Sequence, residues 1–172
     1  MQVAVAAYSG PVDKPVEEKA KKVVRGLIGS CNPVLVLGGY RGLMRIVVDE
    51  ALSLKGRVVL IIPREYEQDY FPPGVIVIRT GMDPKARSDV IVRSSEVLVA
   101  LGGASGTLVE ILMAYGLRRP IYMLVDTGLP SDRLYEAYPD GVLDPRIGPG
   151  IKYYKDPTLL AREACSTFRN ST

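Results

Sequence analysis

Residues 97–110 read VLVALGGASGTLVE, an apolar run that passes through a glycine-rich turn into a helix-like segment. Val97 to Leu101 are continuously apolar rather than alternating, which is typical of a strand buried on both faces of a parallel sheet. Gly102 to Gly106 predict a tight turn, and residues 107–117 continue with helical spacing of apolar residues. A strand followed by such a turn and a helix is the repeating unit of a doubly wound α/β fold.

The same alternation of apolar strand and helix continues along the chain. The predicted strands span residues 2–7, 34–37, 58–62, 75–78, 97–101, 121–125 and 151–154, and the predicted helices span residues 15–29, 42–54, 84–95, 107–117, 131–137 and 157–168. Gly29 predicts the end of the first helix, and Asp83 before Pro84 predicts the start of the third. We expect one α/β domain over residues 1–172, with a mainly parallel, doubly wound sheet and helices on both faces.

The composition is that of an ordinary globular protein. Of 172 residues, 47% are hydrophobic and 24% are charged. No apolar run approaches the roughly 18 residues that a membrane helix needs. The N-terminus lacks the features of a signal peptide, so we expect a cytoplasmic protein without a membrane partner. Asn and Gln are scarce, which suggests a thermophilic source.

Charge and side-chain chemistry restrict the possible functions. The net charge is +3, with basic residues spread along the chain, so we expect a small anion rather than a nucleic acid as partner. There is no histidine, the commonest general base and metal ligand. Cys31 and Cys165 are far apart and lack CxxC spacing, so no metal site is expected. We predict two partly buried thiols rather than a disulfide or a nucleophile.

The glycine-rich turn within residues 97–110 is a candidate phosphate site. Gly103, Ser105, Gly106 and Thr107 would place backbone N–H groups and hydroxyls at a helix N-terminus, where anions bind. No Lys precedes Thr107, so the turn is not a Walker A loop. Glu110 is a candidate catalytic residue, but the spacing from Thr107 to Glu110 also fits a capping box.

A similar turn follows the second predicted strand. Gly38, Gly39 and Gly42 would let the backbone approach a ligand, and Arg41 would bind its phosphate. The alternative is a turn whose glycines only permit close packing of helix on sheet. Ser9 and Gly10, after the first strand, border the ligand in many doubly wound sheets, although an ordinary turn explains them equally well.

Arg87 stands out on the helix predicted over residues 84–95. It shares a face with Val90 and Ile91, so a charge lies on the apolar stripe near the helix start. A buried Arg needs an anionic partner, which would be a protein carboxylate or a ligand phosphate. Alternatively, its stem packs while its head group reaches solvent.

Together these pieces resemble the SLOG superfamily of Rossmann-like proteins, which includes the Lonely Guy cytokinin-activating phosphoribohydrolases. Members carry a GGG-x-x-GLM turn, then an Arg on a helix, then a PGG-x-GT-x-x-E motif. In this chain Gly38, Gly39, Gly42, Leu43 and Met44 match the first motif, Arg87 matches the helix Arg, and Gly103, Gly106, Thr107 and Glu110 match the last. The resemblance implies a Rossmann-like fold, a phosphorylated ligand and a functional pair of Arg87 and Glu110.

The chain also departs from the hydrolase pattern. Gly102, Ala104 and Val109 stand where the hydrolases have Pro, Gly and Glu, and Ser88 stands where a Lys usually follows the Arg. In these positions the chain is more similar to an uncharacterised branch that also resembles molybdenum-cofactor carrier proteins.

Three functional hypotheses follow. The first is a carrier, such as a molybdenum-cofactor carrier, or a sensor that binds a nucleotide or a pterin-type cofactor without changing it. The second is an enzyme that cleaves the N-glycosidic bond of a nucleoside 5′-monophosphate. The third is a structural dimer with an empty cleft. No cofactor is expected to be required. In the second case Arg87 would position the phosphate or the leaving base, and Glu110 would act in catalysis. The resemblance further implies a homodimer or a higher homo-oligomer.

Overall fold

The computed structural model describes residues 1–148 and 150–169, and it contains seven strands and six α-helices within them. The strands are β1 (Gln2–Ala6), β2 (Val34–Leu37), β3 (Arg57–Ile62), β4 (Val75–Arg79), β5 (Val97–Ala100), β6 (Ile121–Leu124) and β7 (Ile151–Tyr154). The α-helices are α1 (Lys14–Cys31), α2 (Gly42–Ser53), α3 (Pro84–Arg93), α4 (Ser105–Gly116), α5 (Arg133–Ala137) and α6 (Pro157–Arg169). Two short 3-10 turns, Arg64–Tyr66 and Pro130–Asp132, complete the set.

All seven strands lie in one parallel sheet with the order β4-β3-β2-β1-β5-β6-β7. Strands β2, β3 and β4 follow one another on one side of β1. The chain then crosses back, and β5, β6 and β7 follow one another on the other side of β1. The doubly wound α/β prediction is therefore confirmed, and the order reverses between β1 and β5. That one domain spans residues 1–172 stays a prediction.

Two apolar cores cover the two faces of the sheet. The larger core packs α1, α2 and α6 through residues such as Leu27, Val47 and Leu160. The smaller core packs α3 and α4 through Ile91 and Ile111. β5 contributes to both cores because all four of its residues are buried. The continuous apolar run of β5 thus marks a strand that is covered on both faces.

Helix boundaries differ from the sequence prediction in two informative places. α1 continues past Gly29 and ends at Asn32, whose left-handed backbone (φ 41°) lets its N–H donate to the Leu27 carbonyl at 3.0 Å. α4 begins at Ser105 rather than at Thr107, because Gly102 (φ 101°) turns the chain directly after β5. Thr107 is therefore not an N-cap, and the capping-box explanation of Glu110 is wrong.

The prediction of two free thiols is also wrong. Cys31 and Cys165 form a disulfide, with their Cα atoms 5.8 Å apart. The bond joins the last residue of α1 to α6, which packs beside α1 on the same face of the sheet. Because 134 residues separate the two cysteines, only the packing of the two helices reveals the pair.

None of the helices in the described ranges combines the length and apolarity that crossing a bilayer requires.

Candidate functional site

A cleft opens at the carboxyl edge of the sheet, where β1 and β5 lie side by side. The chain segments that follow these two strands run in opposite directions, which opens a crevice between the strand ends. Such a crevice is the usual ligand site of doubly wound folds. The cleft has a volume of about 340 Å³. Its walls come from the loop after β1 and from helices α2, α3 and α4. The lining residues are Ala7, Tyr8, Ser9, Met44, Pro84, Lys85, Arg87, Ser88, Ala104, Ser105, Gly106, Thr107, Val109 and Glu110.

The N-terminus of α4 presents free hydrogen-bond donors to this cleft. Among the described residues, none accepts a hydrogen bond from the backbone N–H of Ser105, Gly106 or Thr107. The N-cap residue, Ala104, has no side chain that could accept one. The first turn of a helix carries unpaired N–H groups and a partial positive charge, and this end of α4 therefore favours an anion.

Gly103 does not line the cleft and is held by two hydrogen bonds to Ser131. Its N–H donates to the Ser131 hydroxyl at 3.0 Å, and its carbonyl accepts from the Ser131 N–H at 2.9 Å. Asp132 in turn accepts from the backbone N–H groups of Thr127 and Gly128, each at 2.8 Å. The loop after β6 therefore holds the turn that precedes α4. Ser131 was not a candidate in the sequence, because no local pattern connects it to a turn 28 residues earlier.

α3 brings Arg87 to the cleft. Asp83 caps this helix, accepting from the N–H groups of Lys85 and Ala86 at 2.8 and 3.2 Å. Arg87 lies one turn further on and packs its guanidinium against the backbone of Gly38, at the end of β2. Any side chain at Gly38 would overlap the guanidinium. Lys85 lines the same cleft and is exposed, so a second cation stands near the free N–H groups of α4.

Arg87 and Glu110 form a buried pair across α3 and α4. Arg87 Nη1 lies 3.4 Å from Glu110 Oε1, and the side chains are 12% and 10% exposed. The Ser88 hydroxyl donates to the same carboxylate oxygen at 3.2 Å. Within the described residues, Arg87 Nε is buried without a hydrogen-bond partner. The structure thus joins the two residues that sequence analysis selected as catalytic candidates.

Burial opposes the charge on both members of this pair. Desolvation raises the pKa of Glu110 to about 7, although Arg87 and the Ser88 hydroxyl act to lower it. Desolvation also lowers the pKa of Arg87, and a guanidinium nevertheless stays protonated at neutral pH. Glu110 is therefore divided between its acid and its carboxylate forms near pH 7, as a general acid or base requires.

The glycine turn after β2 mainly packs against a neighbouring loop of the protein. Gly42 has a left-handed backbone (φ 52°) and lies against the backbone of Ser9 and Gly10. The next residue, Leu43, donates its N–H to the Tyr8 carbonyl at 2.9 Å. This turn therefore fixes the loop after β1, and whether it also binds a ligand stays a prediction.

Arg41 contacts Asp69 and Tyr66, and its binding of a ligand phosphate stays a prediction. Its guanidinium donates two hydrogen bonds to Asp69, at 2.8 and 2.9 Å, and lies 4.2 Å from the centre of the Tyr66 ring. Neither Arg41 nor Gly38 or Gly39 lines the cleft, whereas Met44 from the first turn of α2 does.

The loop after β1 contributes Tyr8 and Ser9 to the cleft. Ser9 is exposed and lines it, while Gly10 lies under the Tyr8 ring. Tyr8, Met44 and Lys85 were not sequence candidates. Lys85 had a usable signal, since the second residue of a helix that starts at the carboxyl edge lies next to the ligand crevice.

A protein-family model described as LDcluster4, SLOG cluster4 family, matches residues 1–140. The chain belongs to the SLOG cluster4 family. The match includes every residue that lines the cleft, from Ala7 to Glu110. It confirms the resemblance based on the two glycine turns and Arg87.

Known relatives of this SLOG cluster4 protein cover most of the chain. An uncharacterized protein of Archaeoglobus fulgidus is 36% identical over 116 residues, which are 66% of this chain and 73% of the relative. The X-ray structure of TM1055 is 29% identical, with a TM-score of 0.77 and 99% coverage of both chains. The molybdenum cofactor binding protein of Rippkaea orientalis is 22% identical, with a TM-score of 0.73 and coverage of 99% and 95%.

A further solved structure shares only the fold. DNA processing protein A of Helicobacter pylori, described for its binding of single-stranded DNA, is 14% identical to the SLOG cluster4 chain, with a TM-score of 0.67 and coverage of 99% and 81%. Proteins of this fold thus have partners of very different size. That this chain has no nucleic-acid partner, and that it forms a homo-oligomer, stay predictions.

Proposed function

We propose that this SLOG cluster4 protein binds a small phosphorylated ligand of the nucleotide type in the cleft between β1 and β5. The observation that carries the proposal lies at the start of α4, where the N–H groups of Ser105, Gly106 and Thr107 have no acceptor within residues 1–148 and 150–169. A phosphate there accepts hydrogen bonds from the backbone and interacts favourably with the helix dipole. Lys85 and Arg87 add positive charge on the facing wall.

The rest of the cleft suits a flat organic group. Tyr8, Met44 and Val109 line it together with Ala7 and Ala104, so much of its wall is apolar. Ligand pockets combine such apolar walls with a few polar groups that fix orientation. A nucleobase or a pterin ring meets the same requirement. A pterin-type cofactor is therefore the second ligand to test, and likeness in fold to the molybdenum cofactor binding protein supports including it.

We expect Ser105→Pro to weaken binding of AMP about tenfold or more. Proline fits the first position of a helix and removes only the N–H there. Losing one charge-assisted hydrogen bond corresponds to about 1.5 kcal/mol or more. Ser105→Ala is the matched control, because it keeps the N–H and removes only the hydroxyl. Isothermal titration calorimetry with AMP measures both variants.

Equal affinities for Ser105→Pro and Ser105→Ala would contradict phosphate binding at α4. Mass spectrometry of small molecules released from the purified, denatured protein distinguishes the two ligands. A nucleoside monophosphate or a pterin supports the corresponding ligand, and competition of the released compound with AMP places both in one cleft.

Hydrolysis of the N-glycosidic bond is the second candidate function, and the buried pair of Arg87 and Glu110 favours it. In this reaction the bond between ribose C1′ and the base breaks, water oxygen bonds to C1′, and a proton reaches the leaving base. The Glu110 carboxylate would accept the proton of the attacking water or stabilise positive charge on the sugar. Its pKa of about 7 supplies enough of the ionised form at neutral pH.

For this candidate we expect adenine release from AMP that Glu110→Gln lowers by about 100-fold or more, the usual contribution of a general base. Chromatography of the reaction mixture measures adenine and ribose 5-phosphate. Ser88→Ala is the control, since it keeps the carboxyl group and removes one hydrogen bond to it. Tight binding of AMP without adenine release would exclude the hydrolase and leave the binding function in place.

A further inference from the structure

Glu110 is a buried carboxyl group that lines the proposed ligand cleft and has few polar contacts. Its oxygen lies 3.4 Å from Arg87 Nη1 and 3.2 Å from the Ser88 hydroxyl. Its side chain is only 10% exposed. Arg87 is the charged residue whose field stabilises the carboxylate form. The ionised state of Glu110 therefore depends on one guanidinium contact and one hydroxyl hydrogen bond in a desolvated site.

Other polar and charged groups surround this pair. From α3, Lys85 and Ser88 face the cleft, and from α4 the hydroxyls of Ser105 and Thr107 line it. The loop after β1 adds Tyr8 and Ser9. In the 3-10 turn after β3, Glu65 and Tyr66 act electrostatically on Arg87. Glu110 is the buried ionisable group among them, and the Arg87 side chain is 12% exposed.

A bound anion changes this arrangement in two ways that act in the same direction. Its negative charge, in the same cleft of about 340 Å³, repels the Glu110 carboxylate through a poorly screening medium. Its oxygens also accept hydrogen bonds from the Arg87 guanidinium, which reduces the compensation that Arg87 gives to Glu110. Both effects favour the protonated carboxyl group.

We propose that ligand binding in this cleft is coupled to uptake of a proton by Glu110. The inference rests on the proposed function and goes beyond it, because it assigns the site a linked proton. Linkage then requires that the anion binds more tightly at lower pH. Between pH 7.5 and 8.5 the free protein holds Glu110 mostly ionised, because its pKa is about 7, so binding must recruit the proton from solvent.

Calorimetric titration with AMP at pH 7.5 tests this coupling. The phosphate of AMP has its second pKa near 6 and stays dianionic there. Titrations in buffers of different ionisation enthalpy give the number of protons taken up, and we expect about 0.5 or more per AMP bound. Over pH 7 to 8.5, affinity should fall by about 5- to 10-fold. Glu110→Gln should remove both effects.

Glu65→Gln is the matched control, since it removes an exposed carboxylate near Arg87 but leaves Glu110 in place. We expect this variant to keep the proton uptake. Binding of AMP with heats that do not depend on the buffer overturns the coupling and leaves the proposed function standing. Absence of AMP binding overturns both. If Glu110→Gln fails to fold, the buffer dependence of the AMP-binding heat in the unmodified protein still shows whether binding takes up a proton.

Discussion

Replacing Gly42 by alanine is expected to lower the free energy of unfolding by about 3 kcal/mol or more. Gly42 has φ 52°, a left-handed conformation that L residues with a side chain adopt at a cost of about 1–2 kcal/mol. A methyl group there would also overlap the carbonyl oxygen of Gly10 and lie 2.5 Å from the carbonyl carbon of Ser9. These are backbone atoms, so no rotation of a side chain relieves the overlap.

The same substitution should disturb the site. Tyr8 and Ser9 lie on the loop against which Gly42 packs, and both line the cleft. We therefore expect AMP binding to weaken by about tenfold or more in any Gly42→Ala protein that folds, since a shift of about 1 Å is enough to cost that much. Chemical denaturation followed by circular dichroism measures the stability, and calorimetry measures the binding.

Gly29→Ala is the control for this prediction. Gly29 lies inside α1, and apart from its chain neighbours and the backbone of its own helix, no atom of the described residues lies within 4 Å of the added methyl group. Its backbone is not left-handed. Alanine should there stabilise the protein by about 0.5–1 kcal/mol, because it favours the helix. A Gly42→Ala variant as stable as the Gly29→Ala variant would contradict the structural explanation.

Removing the disulfide should have the second large effect. Replacing Cys31 by serine opens a covalent loop with a sequence separation of 134 residues. The unfolded chain then gains conformational freedom, and we expect a loss of about 2–5 kcal/mol in the free energy of unfolding. A reducing agent should destabilise the unmodified protein to the same extent, since α1 and α6 lose the same cross-link.

Urea denaturation with and without dithiothreitol checks this prediction. The unfolding midpoint of Cys31→Ser should not depend on the reducing agent. Under reducing conditions the unmodified protein should have the same midpoint as Cys31→Ser. An unfolding midpoint of the unmodified protein that does not respond to dithiothreitol would contradict a stabilising bond. Stable disulfides are found in oxidising compartments and in intracellular proteins of hyperthermophiles. The thermophilic source and the cytoplasmic location both stay predictions.

Much of the fold was predictable because its signals are local. The continuous apolar run from Val97 to Ala100 marks a strand that is covered on both faces, and turn residues between apolar runs mark the connections. Parallel strands with helical crossovers place every turn that follows a strand at one edge of the sheet. The sequence alone therefore indicated the edge that carries the candidate site, and the family resemblance indicated Arg87 and Glu110.

Only the tertiary structure decided which residues at that edge face one another. The turns containing Gly42 and Gly103 have similar sequences but different surroundings. The turn at Gly42 packs against the loop after β1, whereas the turn at Gly103 leads into the first turn of helix α4. Arg41 pairs with Asp69, while Lys85 lies at the cleft. Such choices depend on strand order and helix packing, which bring distant residues together and which local spacing does not encode.

The sequence by itself determined a doubly wound sheet with glycine-rich turns along its carboxyl edge. The tertiary structure decided that β1 lies beside β5, that Cys31 reaches Cys165, and that Glu110 is buried against Arg87. The physical reason is the range of the interactions. Backbone preference and apolar periodicity act within a few residues, whereas desolvation, disulfide pairing and cleft formation depend on the contacts of the whole folded chain.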